Sequence, residues 1–141
     1  MTIPIIFSII AVIIVYLQKY KIRHSLEMSF ILMTLLSALR FNFGNDYPEY
    51  LDLFNLLTAE KFSLGIYGDP GWHILCRLFS PLGYESLIAC VSFFLGYAYY
   101  KTIKRYVPSH LQWLSMFIYV FDPNLWLLQQ SMLRQSIVAA I

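Results

Sequence analysis

Residues 3–17 read IPIIFSIIAVIIVYL, an apolar run without a charged side chain. With Thr2 and Gln18 added, the run reaches the roughly 17 residues that a helix needs to cross the hydrocarbon of a bilayer. No basic region precedes the run and no small-residue cleavage site follows it, so we predict a retained membrane anchor rather than a cleaved signal peptide. The bilayer is therefore the expected solvent for the start of the chain.

The composition of the whole chain agrees with that solvent. Of its 141 residues, 59% are hydrophobic, 18% aromatic and 13% charged, whereas soluble domains carry about a quarter charged residues. Because the chain is so apolar, we expect neither a disordered chain nor an ordinary soluble domain. A net charge of +2, without a dense basic cluster beyond Lys19, Lys21 and Arg23, argues against a nucleic-acid partner. Cys76 and Cys90 lack metal-ligand spacing, and we interpret both as small apolar side chains.

Four helical membrane spans are predicted, in one integral domain that covers residues 1–141. Their expected bounds are 2–18, 25–40, 85–100 and 110–128, and a further span starts at 132–141. The fourth span should kink or break at Asp122-Pro123, because proline lacks an N–H and a carboxylate is costly in hydrocarbon. Since the chain ends inside an apolar run, we expect an N-terminal fragment of a longer multi-pass protein. The predicted fold class is an all-α membrane bundle.

Basic residues predict the orientation of these spans. The segment after the first span carries Lys19, Lys21 and Arg23. The segment after the third span carries Lys101, Lys104 and Arg105. Under the positive-inside rule, both segments face the cytoplasm. The N-terminus and the segment 41–71 are then expected on the outer face of the membrane.

The predicted outer segment is marked by acidic residues. Five of the eight acidic residues of the chain lie here: Asp46, Glu49, Asp52, Glu60 and Asp69. Asp46 is a candidate cap for an amphipathic helix, with Pro48 in the first turn. Its apolar face would carry Tyr47, Leu51, Phe54 and Leu57. We predict that this helix lies on the membrane surface.

A second short helix is expected after Gly71, with the sequence WHILCRLF. We predict that it re-enters the membrane and stops at Pro81-Leu82-Gly83. It places His73 and Arg77 on one face, four residues apart. The outer face would therefore carry one interfacial helix and one re-entrant helix.

Motifs of the common soluble enzymes are absent, including the Walker loop, GxGxxG, HExxH, GxSxG and CxxC. What remains is a set of polar residues predicted at the outer membrane face: Arg40, Asn42, Asn45, Asp46, Tyr47, Asp69, His73, Arg77, Arg134 and Gln135. The arginines are interpretable as interface markers or as anion-binding groups. Asp46 is interpretable as a helix cap or as a general base. His73 and Arg77 would either pack inside the bundle or line a pocket.

The segment RFNFGNDYPEY, residues 40–50, resembles a signature of the EpsG-like and Wzy-type polysaccharide polymerases. In those families an Arg ends an early span and precedes a Gly-x-Asp-Tyr core with a further Tyr. The matching positions here are Arg40, Gly44, Asp46, Tyr47 and Tyr50. Asp69-Pro70-Gly71 and Arg134-Gln135 resemble two later elements of the same pattern. The sequence departs from it at Asn45, where Thr is common, and at Asp69, where Glu is common.

This resemblance implies a glycosyltransferase of the bacterial inner membrane. It would polymerise undecaprenyl-pyrophosphate-linked oligosaccharide repeat units into O-antigen or exopolysaccharide on the periplasmic face. Arg40 and Arg134 would stabilise the departing pyrophosphate, and Asp46 would orient or deprotonate the attacking hydroxyl. Substrate contacts are expected from Tyr47, Asn45, Asp69, His73, Arg77 and Gln135. No cofactor or metal is expected, and the partners would be the lipid-linked oligosaccharide, the bilayer, a flippase and a chain-length regulator.

Two other classes of protein stay open. A transporter or flippase of a lipid-linked glycan would also use outer arginines, a broken helix and a re-entrant segment. Such a protein is expected to place charged residues near the middle of the bilayer, whereas here they lie at the predicted interfaces. A non-catalytic membrane subunit would follow if the outer segment only shields a larger assembly.

Overall fold

The computed structural model describes residues 2–17, 24–39, 46–59, 70–122, 125–126, 135 and 137. Its regular elements are all helical within these ranges, which confirms the predicted all-α class. The helices are α1 (Thr2–Tyr16), α2 (Ser25–Ala38), α3 (Tyr47–Ala59), α4 (Pro70–Phe79), α5 (Tyr84–Tyr106) and α6 (Gln112–Phe121). A 3₁₀ turn, Ser109–Leu111, joins α5 to α6.

A glycine and a proline set the two ends of α5. Gly83, with φ 87° and ψ 164°, stands directly before the helix in a conformation that is essentially restricted to glycine. At the other end, Val107 is extended, with φ −104° and ψ 124°. The following residue is Pro108, and a proline disfavours the helical conformation of the residue before it. The helix therefore continues six residues beyond the predicted span 85–100 and ends at Tyr106.

The same rule ends α6. Asp122 adopts φ −74° and ψ 120°, and Pro123 follows it in the sequence. The Asp122 N–H still donates to the Ile118 carbonyl at 2.8 Å, so the last turn is closed before the chain leaves the helix. The break predicted at Asp122-Pro123 within the span 110–128 is confirmed.

α2 carries several small polar side chains beside Leu26, Phe30 and Met33 on its buried face, and large apolar side chains on its exposed face. Ser29 and Ser37 are buried, whereas Met28 and Ile31 are 53% and 58% exposed. The Ser29 hydroxyl donates to the Ala11 carbonyl of α1 at 2.8 Å. Helices in membranes pack in this way, through small residues and interhelical hydrogen bonds, because lipid is as apolar as a hydrophobic core. The packing of α2 is thus that of a membrane helix.

Among the described residues, α5 is long and apolar enough to cross a bilayer by length and composition. Its 23 residues, at about 1.5 Å of rise each, extend over roughly 34 Å. The helices α1 and α2 are also apolar, but they have 15 and 14 residues. The number of spans and the outside position of the N-terminus stay predictions.

Two hydrophobic clusters form the core, and α5 contributes to both. The first, here called the α3–α4–α5 cluster, comprises Tyr47, Tyr50, Phe54, Leu57, Trp72, Cys76, Tyr84, Leu87, Ile88, Val91 and Leu95. The second, the α1–α2–α6 cluster, comprises Ala11, Val15, Leu26, Phe30, Met33, Ile103, Met116, Tyr119, Val120 and Trp126. The first half of α5 therefore packs against the predicted outer segment, and the end of α5 packs against the apolar helices.

Candidate functional site

Asp46 stands directly before α3, in the position of a helix cap. Its carbonyl accepts the backbone N–H of Tyr50 at 3.0 Å, which opens the hydrogen-bond ladder of the helix. The residue is half-buried, and the partial positive charge of a helix N-terminus stabilises a carboxylate there. This placement suits a cap, and it also holds a carboxylate at a defined point beside a rigid helix.

Edge-on aromatic contacts hold α3 against α4 and α5. The ring of Tyr47 lies 5.4 Å from that of Tyr84, and the ring of Tyr50 lies 5.4 Å from that of Trp72, centroid to centroid. Both pairs have the T-shaped geometry that aromatic rings prefer, because the positive edge of one meets the negative face of the other. Asp46 is therefore attached to a well-packed aromatic layer rather than to a loop alone.

The buried face of α3 differs slightly from the predicted one. Tyr47, Phe54 and Leu57 are buried as predicted, but Tyr50 occupies the place expected for Leu51, which is only half-buried. The helices α4 and α5 cover this face, so protein occupies the surface for which lipid was expected. The position of α3 at a membrane surface stays a prediction.

In α4, His73 and Arg77 have different surroundings. His73 is 9% exposed beside the buried Trp72, whereas Arg77 is exposed. Arg77 lies in the last turn of α4, where the negative end of the helix dipole attracts a cation. The helix stops before the turn at residues 80–83, as predicted. Burial supports the packed interpretation of His73, and its predicted contact with substrate is untested.

The segment with the third motif element also reaches the α3–α4–α5 cluster. Gln135 is exposed, and Ile137, two residues further on, is half-buried against that cluster. The cluster therefore includes or contacts one residue in or near each motif element: Tyr47 of the first, Trp72 directly after the second, and Ile137 two residues after the third.

Of the nine predicted site residues, five are described by the structure: Asp46, Tyr47, His73, Arg77 and Gln135. The other four lie outside the described residues: Arg40, Asn45, Asp69 and Arg134. The part of the chain that the structure describes contains no group of three or more His, Cys, Asp or Glu side chains suited to a metal ion.

Glu27 is the centre of a polar network that no sequence motif includes. Its Oε1 atom accepts hydrogen bonds from Lys104 Nζ at 2.8 Å and from Tyr100 OH at 2.7 Å, and its Oε2 atom lies 2.6 Å from His24 Nδ1. The network joins the start of α2 to the end of α5. A carboxylate inside an otherwise apolar predicted span is the sequence signal that points to such a partner, since an unpaired charge in hydrocarbon is costly.

An open groove of about 330 Å³ runs between α2 and α5, from this network towards the middle of both helices. The groove is lined by Glu27, Phe30, Ile31, Thr34, Phe93, Gly96, Tyr97 and Tyr100. Apart from the Glu27 end, its walls are mainly aromatic and aliphatic.

The described helices expose many large apolar side chains, and α5 is long and apolar enough to cross a bilayer; both features are typical of an all-helical membrane protein. A sequence profile of the EpsG family matches residues 25–141. The chain belongs to the EpsG family, and this membership indicates a membrane protein related to polysaccharide biosynthesis. Comparisons with curated proteins and with solved structures gave no match. The family assignment expected from the motif residues is confirmed.

Proposed function

We propose that the chain acts in a membrane glycosyltransferase that joins undecaprenyl-pyrophosphate-linked oligosaccharide repeat units on the outer face of the bacterial inner membrane. Membership in the EpsG family, which is associated with polysaccharide polymerases, supports this proposal. The structural observation that carries it is that Tyr47 of the first motif element, Trp72 after the second and Ile137 near the third all lie at the α3–α4–α5 cluster.

This convergence matters because the three elements are far apart in the sequence. They occupy residues 40–50, 69–71 and 134–135. A reaction between two bound glycans needs its polar groups held in a fixed relative geometry, and groups supported by a packed core meet that need better than groups on separate loops. The aromatic cluster supplies such a support next to Asp46.

In the proposed reaction, a hydroxyl oxygen of the acceptor sugar attacks the anomeric carbon of the donor glycan. The bond from that carbon to the pyrophosphate oxygen breaks, and the pyrophosphate leaves with the electron pair. Asp46 acts as the general base and accepts the hydroxyl proton as the oxygen attacks. Arg40 and Arg134 bind the leaving pyrophosphate, because guanidinium groups pair with phosphate through two hydrogen bonds and keep their charge.

The proposed contacts with the sugars, which orient the hydroxyl, come from Asn45, Asp69, Arg77 and Gln135. Of these, Gln135 and Arg77 are exposed and therefore accessible to a glycan in the described structure. Tyr47 and His73 are buried, so their proposed part is to hold the walls of the site in place.

The substitution Asp46→Asn distinguishes the role of Asp46 as a helix cap from its proposed role as a general base. Asparagine caps helices as well as aspartate does, so α3 should remain stable, but the amide does not accept a proton. The full-length gene would be deleted and complemented with each variant, and surface glycolipid would be separated by electrophoresis. We expect Asp46→Asn to reduce polymer formation by about a hundredfold or more, with membrane abundance unchanged.

Asp52→Asn is the matched control, since Asp52 is exposed on the same helix. It should leave the polymer ladder intact. A normal ladder with Asp46→Asn would reduce Asp46 to a helix cap. Arg134→Lys tests the pyrophosphate contact in the same assay, because lysine keeps the charge and loses the paired hydrogen bonds.

The break after α6 favours a second candidate function, export of the lipid-linked unit, which the same experiment tests. Asp122 is half-buried where the helix ends, and broken helices occur at the binding sites of transporters. In the deletion strain, a ladder reduced to a single repeat supports polymerisation, whereas loss of the single repeat as well supports export. An unaltered ladder would argue against O-antigen synthesis and favour another polymer or a non-catalytic subunit.

A further inference from the structure

We propose that the groove between α2 and α5 binds one anionic glycerophospholipid of the surrounding bilayer. Its phosphate would lie at Lys104 and Lys101, and one acyl chain would lie along the groove. None of the residues that line the groove is among the nine predicted site residues, and the proposal does not depend on the proposed function.

The shape of the groove suits a single hydrocarbon chain. Along α5 its lining residues recur every three or four positions, from Phe93 to Tyr100, so that they form one continuous stripe about 10 Å long. Ile31 of α2 and Tyr97 of α5 stand on opposite walls and are 58% and 61% exposed. Gly96 lies in the floor, where its lack of a side chain lets Thr34 of α2 pack close against α5. The site is thus an apolar groove, open at the exposed surface between α2 and α5.

The charge at one end of the groove suits a phosphate. Lys104 pairs with Glu27, yet its side chain remains 56% exposed, against 34% for Glu27. Lys101 is also exposed, and its Nζ lies 5.8 Å from the centroid of the Tyr97 ring, which lines the groove. Lys104 pairs with Glu27 and Lys101 lies beside Tyr97, so two lysines and one carboxylate give this end of the groove a net positive charge.

A bilayer lipid is the occupant that combines these two features. An apolar groove with a cationic end matches a molecule with a hydrocarbon chain and a phosphate at one end. Basic pockets between membrane helices bind the headgroups of anionic lipids in this way, most often on the cytoplasmic side. By the positive-inside rule, the basic residues after the first and third predicted spans predict that this end of α5 lies on that side. A zwitterionic lipid fits less well, because its own cation would meet the lysines.

The test uses the full-length protein, purified in a neutral detergent and freed of bound lipid. Dioctanoyl phosphatidylglycerol, dioctanoyl phosphatidylcholine and a polyprenyl monophosphate would be titrated separately, and binding would be followed by native mass spectrometry. We expect saturable binding of phosphatidylglycerol and weaker binding of the other two. Since one lysine near a membrane surface changes affinity about fivefold, Lys101→Gln and Lys104→Gln should each raise the Kd by about that factor.

Arg105→Gln is the matched control for charge. It removes one positive charge from the same helix end, but the Arg105 guanidinium lies 5.5 Å from the ring centroid of Tyr106, which does not line the groove. Lys101 and Lys104, in contrast, contact the groove-lining residues Tyr97 and Glu27. Its Kd for phosphatidylglycerol should stay that of the wild type. An increase equal to that of Lys104→Gln would show general surface charge rather than a site, and would overturn the proposal.

Glu27→Gln distinguishes binding from a structural effect of the ion pair. It breaks the same pair as Lys104→Gln but leaves the lysine free for phosphate, so binding should be kept or strengthened. Equal weakening by the two variants would mean that the pair only holds α2 to α5, which contradicts the proposed site.

Ile31→Trp tests whether the lipid chain occupies the groove, because a larger exposed side chain on its wall would fill the groove. This variant should weaken binding of phosphatidylglycerol while its thermal midpoint stays that of the wild type. Equal affinity for phosphatidylcholine would refute the anionic specificity. Tighter binding of the polyprenyl phosphate would replace the phospholipid with an isoprenoid occupant and overturn the proposal.

Discussion

Replacing Gly96 with alanine tests how closely α2 and α5 approach each other. Gly96 is buried in α5, opposite Thr34 of α2. A Cβ at Gly96 would overlap the Thr34 Oγ1 atom and would lie 3.2 Å from Thr34 Cβ and 3.3 Å from Cγ2. Rotation of the threonine moves its Oγ1 but leaves its Cβ in place, so the helices must shift. Overpacking of this kind costs about 1–3 kcal/mol.

Helix propensity acts in the opposite direction. Alanine is favoured over glycine in a helix interior by about 1 kcal/mol, so Gly96→Ala should lower the free energy of unfolding by about 1 kcal/mol in total. Gly71→Ala is the matched control. A Cβ at Gly71 meets nothing within 4 Å, and this substitution should raise stability by up to about 1 kcal/mol.

Thermal unfolding of both variants, followed by far-UV circular dichroism in one detergent, measures the difference. We expect Gly96→Ala to melt several degrees below Gly71→Ala, from a difference of about 2 kcal/mol. Adding Thr34→Ala removes Oγ1 and Cγ2, so the double variant Thr34→Ala/Gly96→Ala should recover part of the loss, with a coupling of at least about 0.5 kcal/mol. A Gly96→Ala protein as stable as Gly71→Ala would refute the close approach of the two helices.

Three further substitutions test other contacts in the same melting assay. Ser29→Ala should cost about 1 kcal/mol, because its buried hydroxyl donates to α1 at 2.8 Å. Thr102→Ala, whose exposed hydroxyl bonds within its own helix, should change stability by less than about 0.5 kcal/mol, and equal losses would contradict this reasoning. Gly83→Ala should cost about 1–3 kcal/mol, since φ is 87° there, and an unchanged midpoint would argue against that conformation. Trp126→Phe removes a buried hydrogen bond of 3.1 Å to the Ser37 hydroxyl and should cost about 1 kcal/mol; no loss would mean that this bond adds nothing.

Some features of the candidate site follow from neighbouring residues in the sequence, whereas others depend on tertiary packing. The cap position of Asp46 follows from its own neighbours in the sequence, because the first turn of a helix depends on the residues beside it. The buried place of Tyr50, where Leu51 was expected, depends instead on where α4 and α5 lie. Likewise, spacing alone put His73 and Arg77 on one face, whereas packing buries one and exposes the other.

The sequence by itself determined the solvent and the local course of the chain. Hydropathy indicated a membrane protein, and Gly83, Pro108 and Pro123 set helix ends, because each acts on the backbone of itself or of its immediate neighbour. Only the tertiary structure decided which distant groups meet. Glu27 and Lys104 are 77 residues apart in the sequence, and no local pattern encodes their contact, since it depends on the relative position of two packed helices. The groove between α2 and α5 and the packing of Tyr47, Trp72 and Ile137 at one cluster have the same physical origin.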